Sequence, residues 1–97
     1  MALTLLQVIL AATPTQVIAA VTPVRQVIIE SDDGNSNAAW VGDSAVATDT
    51  GILLTNSSTV PGRVVLGPFS GDAPFNLNEV YVIGTAAELV NILYVKA

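Results

Sequence analysis

Turn-forming clusters interrupt this chain every few residues: Thr13-Pro14, Thr22-Pro23, Ser31 to Asn37, Gly42 to Ser44, Asn56 to Ser58, Pro61-Gly62 and Gly71 to Pro74. Gly supplies positive φ, Pro fixes φ, and Asn, Asp and Ser bond their own local backbone, so none of these clusters belongs inside a long regular element. The stretches between them have the length of strands: 3–10, 15–21, 24–30, 38–42, 52–55, 58–60, 63–69, 78–83 and 89–95. Val, Ile, Leu, Thr and aromatic residues concentrate there with a two-residue period. No stretch carries a helical stripe, and Thr85 to Leu89 has room for one turn only. The expectation is an all-β chain, an antiparallel β-sandwich or jelly-roll-like barrel of about eight strands.

With 97 residues there is material for one domain, a single β-sandwich over 13–97 with an N-terminal strand or arm over 1–12. A chain this short buries a sandwich core but not a deep ligand cavity as well. Charged residues make up 11% of it and hydrophobic residues 52%, against about 25% charged in an ordinary soluble domain. Small domains leave much of the chain outside, so this shortage of charge predicts an exterior partly covered by other subunits.

Strand alternation sharpens that expectation. Within 24–30, Arg25, Val27 and Ile29 share one side and Val24, Gln26, Ile28 and Glu30 the other, with Val27 and Ile29 facing the core. Val80 and Val82 oppose Glu79, Tyr81 and Ile83, while Val90, Ile92 and Tyr94 oppose Leu89, Asn91, Leu93 and Val95. Here the second side is apolar too, whereas a sheet with one wet face alternates cleanly. The outer face is therefore expected to meet another chain or a covering segment, and the two-sided stretch Leu3 to Leu10 is a candidate cover.

Net charge is −5, with Arg25, Arg63 and Lys96 the only bases, so no patch is able to neutralise a phosphate backbone and no nucleic-acid partner is expected. The first 24 residues carry no charge. Leu3 to Ala12 has the look of a secretory h-region but lacks the basic start. Gln7, Thr13, Pro14, Thr15, Gln16, Thr22 and Pro23 break it well short of the roughly 20 apolar residues that span a membrane. No membrane partner is expected. Without Cys or His there is no disulfide, no base to activate a serine and no thiolate or imidazole set for zinc or iron. The chain reads as a non-enzyme without catalytic residues, cofactor or metal.

Three places nevertheless invite a chemical reading. Asp49-Thr50-Gly51 matches the Asp-Thr/Ser-Gly triplet with which dimeric all-β aspartic proteases bring two carboxylates onto one water. That triplet belongs early in such chains, ahead of a glycine-rich flap, whereas Asp49 lies mid-chain and Gly62-Arg63 follows a proline. The competing reading is a tight turn with Gly51 at positive φ. Asp32-Asp33-Gly34-Asn35 resembles the start of a calcium loop, but no Glu stands at the twelfth position, and a solvated turn competes. Trp40 turns away from Ala39 and Val41, either as an anchor for a second layer or as an interface aromatic.

Several segments together resemble a known group of proteins. They are Thr22-Pro23-Val24-Arg25-Gln26-Val27, Trp40-Val41-Gly42-Asp43-Ser44, Thr48-Asp49-Thr50-Gly51-Ile52-Leu53-Leu54, the strand after Pro61-Gly62, Val80-Tyr81-Val82-Ile83-Gly84-Thr85-Ala86 and Val90-Asn91-Ile92-Leu93-Tyr94. As a set spanning about residues 15–95, they resemble small β-sandwich modules in virion proteins of tailed bacteriophages. The resemblance implies a jelly-roll-like capsid decoration (cement) protein on the virion surface. Such a protein sits as a homotrimer clamping neighbouring major capsid subunits. The alternative within the same group is a head-fibre or tail module that binds a glycan or a tail partner. A freestanding short chain suits decoration better. Met1 to Ala12 departs from the pattern and is expected to contact the shell or a partner subunit. Candidate contact residues are Leu3, Leu5, Ile9, Trp40, Ile83 and Leu93.

Overall fold

The computed structural model describes residues 3–57, 59–70 and 75–97. Among these residues nine strands follow one another: β1 (Leu3–Ile9), β2 (Thr15–Gln16), β3 (Pro23–Ser31), β4 (Ala39–Gly42), β5 (Ile52–Leu54), β6 (Arg63–Leu66), β7 (Phe75–Asn76), β8 (Tyr81–Ile83) and β9 (Leu89–Lys96). One sheet has the order β1-β9-β3-β6, with β7 also paired to β3, and the other has the order β2-β8-β4-β5. Every ladder is antiparallel. The nested pairs β1–β9, β2–β8, β3–β6 and β4–β5 make one long ribbon. Rolling that ribbon brings β9 beside β3 and β8 beside β4. The result is a jelly-roll sandwich, the all-β architecture that the turn spacing predicts.

The two sheets meet over one core. Val27, Ile29, Val90 and Ile92 from the first sheet and Ala39, Leu54 and Val82 from the second are fully buried, and Tyr94, Val41 and Val8 nearly so. Val27 and Ile29 point inward as alternation requires, as do Val80, Val82, Val90, Ile92 and Tyr94. Val24 does not follow the expected phase and is fully buried as well. The ladder slips between Val24 and Gln26, so Arg25 is an extra residue that sets Val24 back onto the core side.

Other departures have local causes. The stretch 15–21 is a strand only at Thr15–Gln16: the bond from the N–H of buried Val17 to the Val80 carbonyl, at 3.0 Å, continues the same register by one residue, and beyond it the partner segment is the 3₁₀ turn Leu77–Glu79, which offers no ladder. The expected strand 58–60 falls partly on Ser58, which lies outside the described residues. Ser57 Oγ accepts the N–H groups of Thr59 (3.2 Å) and Val60 (3.0 Å), which occupies donors that a ladder needs. β6 stops at Leu66 because Gly67 adopts φ 101°, and a Cβ there would lie 2.5 Å from the Arg25 carbonyl. Pro68 follows through a cis peptide bond. Residues 78–83 divide into a 3₁₀ turn, Leu77–Glu79, and β8. The pairing of Phe75–Asn76 with Pro23 and Val24 has no counterpart in the alternation pattern. The turn cluster Gly71 to Pro74 lies outside the described residues.

β1 pairs with β9 over seven residues in unbroken register, from Leu3↔Val95 to Ile9↔Leu89. Residues 3–9 are therefore the edge strand of the chain's own first sheet and do not fold over its outer face. Leu10 ends the strand inside the core, its N–H donating to the Glu88 carbonyl at 2.8 Å.

The phase of β9 is directly testable. Ile92→Ala is expected to cost about 2–5 kcal/mol in a urea melt, as buried Ile truncations do. Leu93→Ala, one residue on but facing outward, is expected to cost about 1 kcal/mol or less. Similar losses at both positions would contradict the assignment of faces.

Candidate interaction surface

Antiparallel register aligns side chains of neighbouring strands in rows on each face. On the outer face of the first sheet one row crosses all four strands: Leu5 opposite Leu93, Leu93 opposite Ile28, Ile28 opposite Val65. Leu5 is 71% exposed and Val65 48% exposed, while Ile28 and Leu93 are half-buried between their neighbours. Beside it runs Leu3–Val95–Gln26, with Leu3 65% exposed. On the other flank stands a polar row, Gln7–Asn91–Glu30–Arg63. Beyond that row Ile9, opposite Leu89, is 66% exposed.

The polar row is internally bonded. Gln7 Nε2 donates to Asn91 Oδ1 at 2.9 Å, and Asn91 Nδ2 donates to Asp32 Oδ1 at 3.1 Å. Arg63 donates through both Nε and Nη2 to Glu30 Oε2, at 2.7 and 2.6 Å. Arg63 is largely open to water and Glu30 partly so, and the ion pair contributes at most about 1 kcal/mol to folding. Its effect is positional: it holds a charged border along a shallow groove lined by Leu5, Ile28, Leu93 and Asn91. An apolar strip with a satisfied polar border has the composition of an interface core and rim.

Of the six candidate contact residues, the structure brings Leu3, Leu5, Ile9 and Leu93 onto this one face. Trp40 lies on the outer face of the other sheet, half-buried, with Leu53 opposite it on β5 and Ile83 on β8. Ile83 is a correction: although alternation sets it opposite Val82, it is only 5% exposed and offers no contact surface in the single chain. Ile28, Val65 and Val95 complete the strip and were not among the candidates. Alternation alone puts Ile28 and Val95 on the outer side of their strands; their joining Leu5 and Leu93 depends on the strand order.

The other chemically suggestive positions are turns in the structure. Asp49 itself takes the left-handed conformation, φ 67°, in place of Gly51. Gly51 is needed for a different reason, since a Cβ there would lie 2.7 Å from the Val41 carbonyl and from Val46 Cγ2. Asp49 is exposed, and the turn is closed by Thr50, whose N–H and hydroxyl both donate to the Ala47 carbonyl. In Asp32 to Asn35 the carboxylate of Asp32 accepts the Gly34 N–H at 3.0 Å and an Asn91 amide proton. Asn35 is buried, and its side chain substitutes for a strand: Nδ2 donates to the Leu89 carbonyl at 2.7 Å and Oδ1 accepts the Leu89 N–H at 3.0 Å. Glu88 accepts the N–H groups of Ser36 and Asn37 from the opposite side. Among the described residues no three His, Cys, Asp or Glu side chains converge to hold a metal ion.

Along one side of the sandwich lies an open groove of about 340 Å³, lined by Val41, Ile52, Val64, Leu66, Phe69 and Phe75. Phe69 and Phe75 stack with centroids 5.6 Å apart. Asp43 and Glu79 also line this groove. Compared with known protein families, curated proteins and solved structures, the chain matches none. Among the described residues no helix is long and apolar enough to cross a membrane.

Asn35 connects the turn to the sheet through two bonds that an apolar residue cannot make. Asn35→Ala is expected to lower stability by about 1–3 kcal/mol, because it leaves the Leu89 N–H without its acceptor, while the Leu89 carbonyl keeps the Asp32 N–H. Asp33→Ala, at an exposed position in the same turn, is expected to change it by about 0.5 kcal/mol or less. Equal effects at the two positions in thermal unfolding would contradict that role.

Proposed function

We propose that this chain is a non-enzymatic bacteriophage capsid decoration protein that binds the outer shell and stabilises it. The observation that carries this reading is the apolar strip Leu5–Leu93–Ile28–Val65, which crosses the whole width of one sheet, exposed at Leu5 and Val65 and half-buried at Leu93 and Ile28, and is bordered by a bonded polar row. Jelly-roll order, a fold that recurs in capsid domains, supports it, and so does the resemblance of residues 15–95 to phage virion modules. Stabilising a lattice needs no catalysis. A protein that binds the assembled shell and not the loose subunits shifts the equilibrium toward the shell by mass action. Many weak apolar contacts repeated by symmetry then add up through avidity. The partners in this reading are the major capsid protein and further copies of the chain, and the location is the capsid surface.

One feature favours a second reading, a tail or fibre module that binds a glycan or a tail partner. The side groove with the stacked Phe69–Phe75 pair offers aromatic surface of the kind on which apolar faces of ligands rest.

Co-sedimentation with expanded shells of the cognate major capsid protein separates the two. Decoration predicts saturable binding that Ile28→Ser and Leu93→Ser each weaken about tenfold or more, as central interface residues do, while Phe69→Ser leaves it unchanged. No binding to shells, or binding insensitive to both strip variants, would overturn the reading.

A further inference from the structure

β1 has a property separate from the apolar face. The alternation of hydrogen bonds in the first sheet is set by two contacts: Leu10 N–H donates to Glu88 O at 2.8 Å, and Asp32 N–H donates to Leu89 O at 3.1 Å. Stepping back along the register, Thr4, Leu6 and Val8 direct their N–H and C=O groups at β9. Leu3, Leu5, Gln7 and Ile9 direct theirs away, over the open edge of the sheet. Among the described residues, nothing accepts from or donates to those outward backbone groups.

Natural sheet edges are defended by a charge, a proline, a bulge or brevity. β1 has none of these: Leu3–Ile9 contains no charged residue and no proline, and its register is unbroken over seven residues. The edges of the second sheet, β2 and β5, are two and three residues long, and β6 carries Arg63.

We propose that β1 pairs antiparallel with β1 of a second copy of this chain about a two-fold axis at Leu6. β1 is complementary to itself in this register. The open groups lie on alternate residues, and a register centred on Leu6 sets Leu3 opposite Ile9 of the second copy and Leu5 opposite its Gln7. All the outward N–H and C=O groups of both strands are then satisfied. Centring on Gln7 instead sets Leu3 opposite Ala11, past the end of β1 and with its carbonyl already taken by the Gly84 N–H; centring on Leu5 sets Ile9 opposite Met1, outside the described residues. The same register lays Leu3 against Ile9 of the second copy, covering side chains that are 65% and 66% exposed in the single chain. No charged side chain lies on β1 itself, so none is set directly opposite another in this pairing. The two first sheets join into one continuous sheet, an isologous interface of the commonest kind. It differs from the trimer that the phage resemblance implies, and it leaves Ile28 and Leu93 free, so it stands or falls separately from shell binding.

Light scattering during size exclusion is expected to give twice the 10.0 kDa of one chain. The double variant Leu5→Lys, Gln7→Lys sets ammonium groups opposite one another across the axis and is expected to give the single-chain mass with an unchanged far-ultraviolet spectrum. In a chain without native cysteine, Leu6→Cys is expected to cross-link to itself on oxidation, since residues facing each other in a non-hydrogen-bonded pair stand about 4.5 Å apart. Val65→Cys, on the opposite edge strand, is expected not to. A monomeric or trimeric wild type, a dimer that survives the double lysine variant, or a Leu6→Cys chain that does not cross-link would overturn the proposal.

Discussion

The fold rests on the two-sided pairing of β9. Its even-numbered residues bond β1 and its odd-numbered ones bond β3, so both edges of the strand are used along most of its length. Antiparallel pairing on both sides leaves no freedom of register, because a slip by one residue would turn every side chain to the opposite face. Val90, Ile92 and Tyr94 are thereby committed to the core, and with them Val27 and Ile29 on β3 and Val8 on β1. The one slip that occurs, at Arg25, uses an extra residue to return Val24 to the core. The Arg25 carbonyl accepts the Phe69 N–H, which ties the turn after β6 to the bulge.

What β9 commits inward it also commits outward. Leu93 and Val95 must face away, and the register sets Leu3, Leu5, Ile28 and Val65 around them. A chain with 11% charged residues has few means of making that face wet. Apart from Gln26, the polar side chains on it stand in one row, where Gln7 bonds Asn91 and Arg63 bonds Glu30. Burying apolar surface is worth roughly 25 cal/mol per Å², so a partner that covers the strip is favoured. The proposed roles divide this surface: the face serves a shell, and the edge serves a second copy.

Much of this was legible in residue order. Two-residue alternation placed Val27, Ile29, Val82 and Ile92 correctly, because strand geometry leaves side chains only two directions. It also marked the outer side of β9 as apolar. Alternation carried no account of Val24, whose orientation depends on a bulge, nor of Ile83, whose burial depends on the packing around β8. The limits of β2 and β6 escaped for related reasons: the segment facing β2 becomes a 3₁₀ turn at Leu77–Glu79, and Gly67 adopts a conformation that ends a ladder. Leu3, Leu5, Ile9 and Leu93 were recognisable as exposed apolar candidates. That they join Ile28 and Val65 follows only from β9 lying between β1 and β3, a long-range pairing that no local pattern contains. The Asp49 triplet shows the converse, since a motif that suggests chemistry folds as an exposed turn closed by Thr50.

Residue-resolved amide exchange tests the central claim most directly, because it reads the pairing of β9 and the open side of β1 together. The account predicts slow exchange at every amide from Val90 to Val95, and on β1 slow exchange at Thr4, Leu6 and Val8 at all concentrations. Leu5, Gln7 and Ile9 are predicted to exchange fast in dilute solution and to slow as concentration rises. Fast exchange at alternate amides of β9, or uniform behaviour along β1 whatever the concentration, would contradict it.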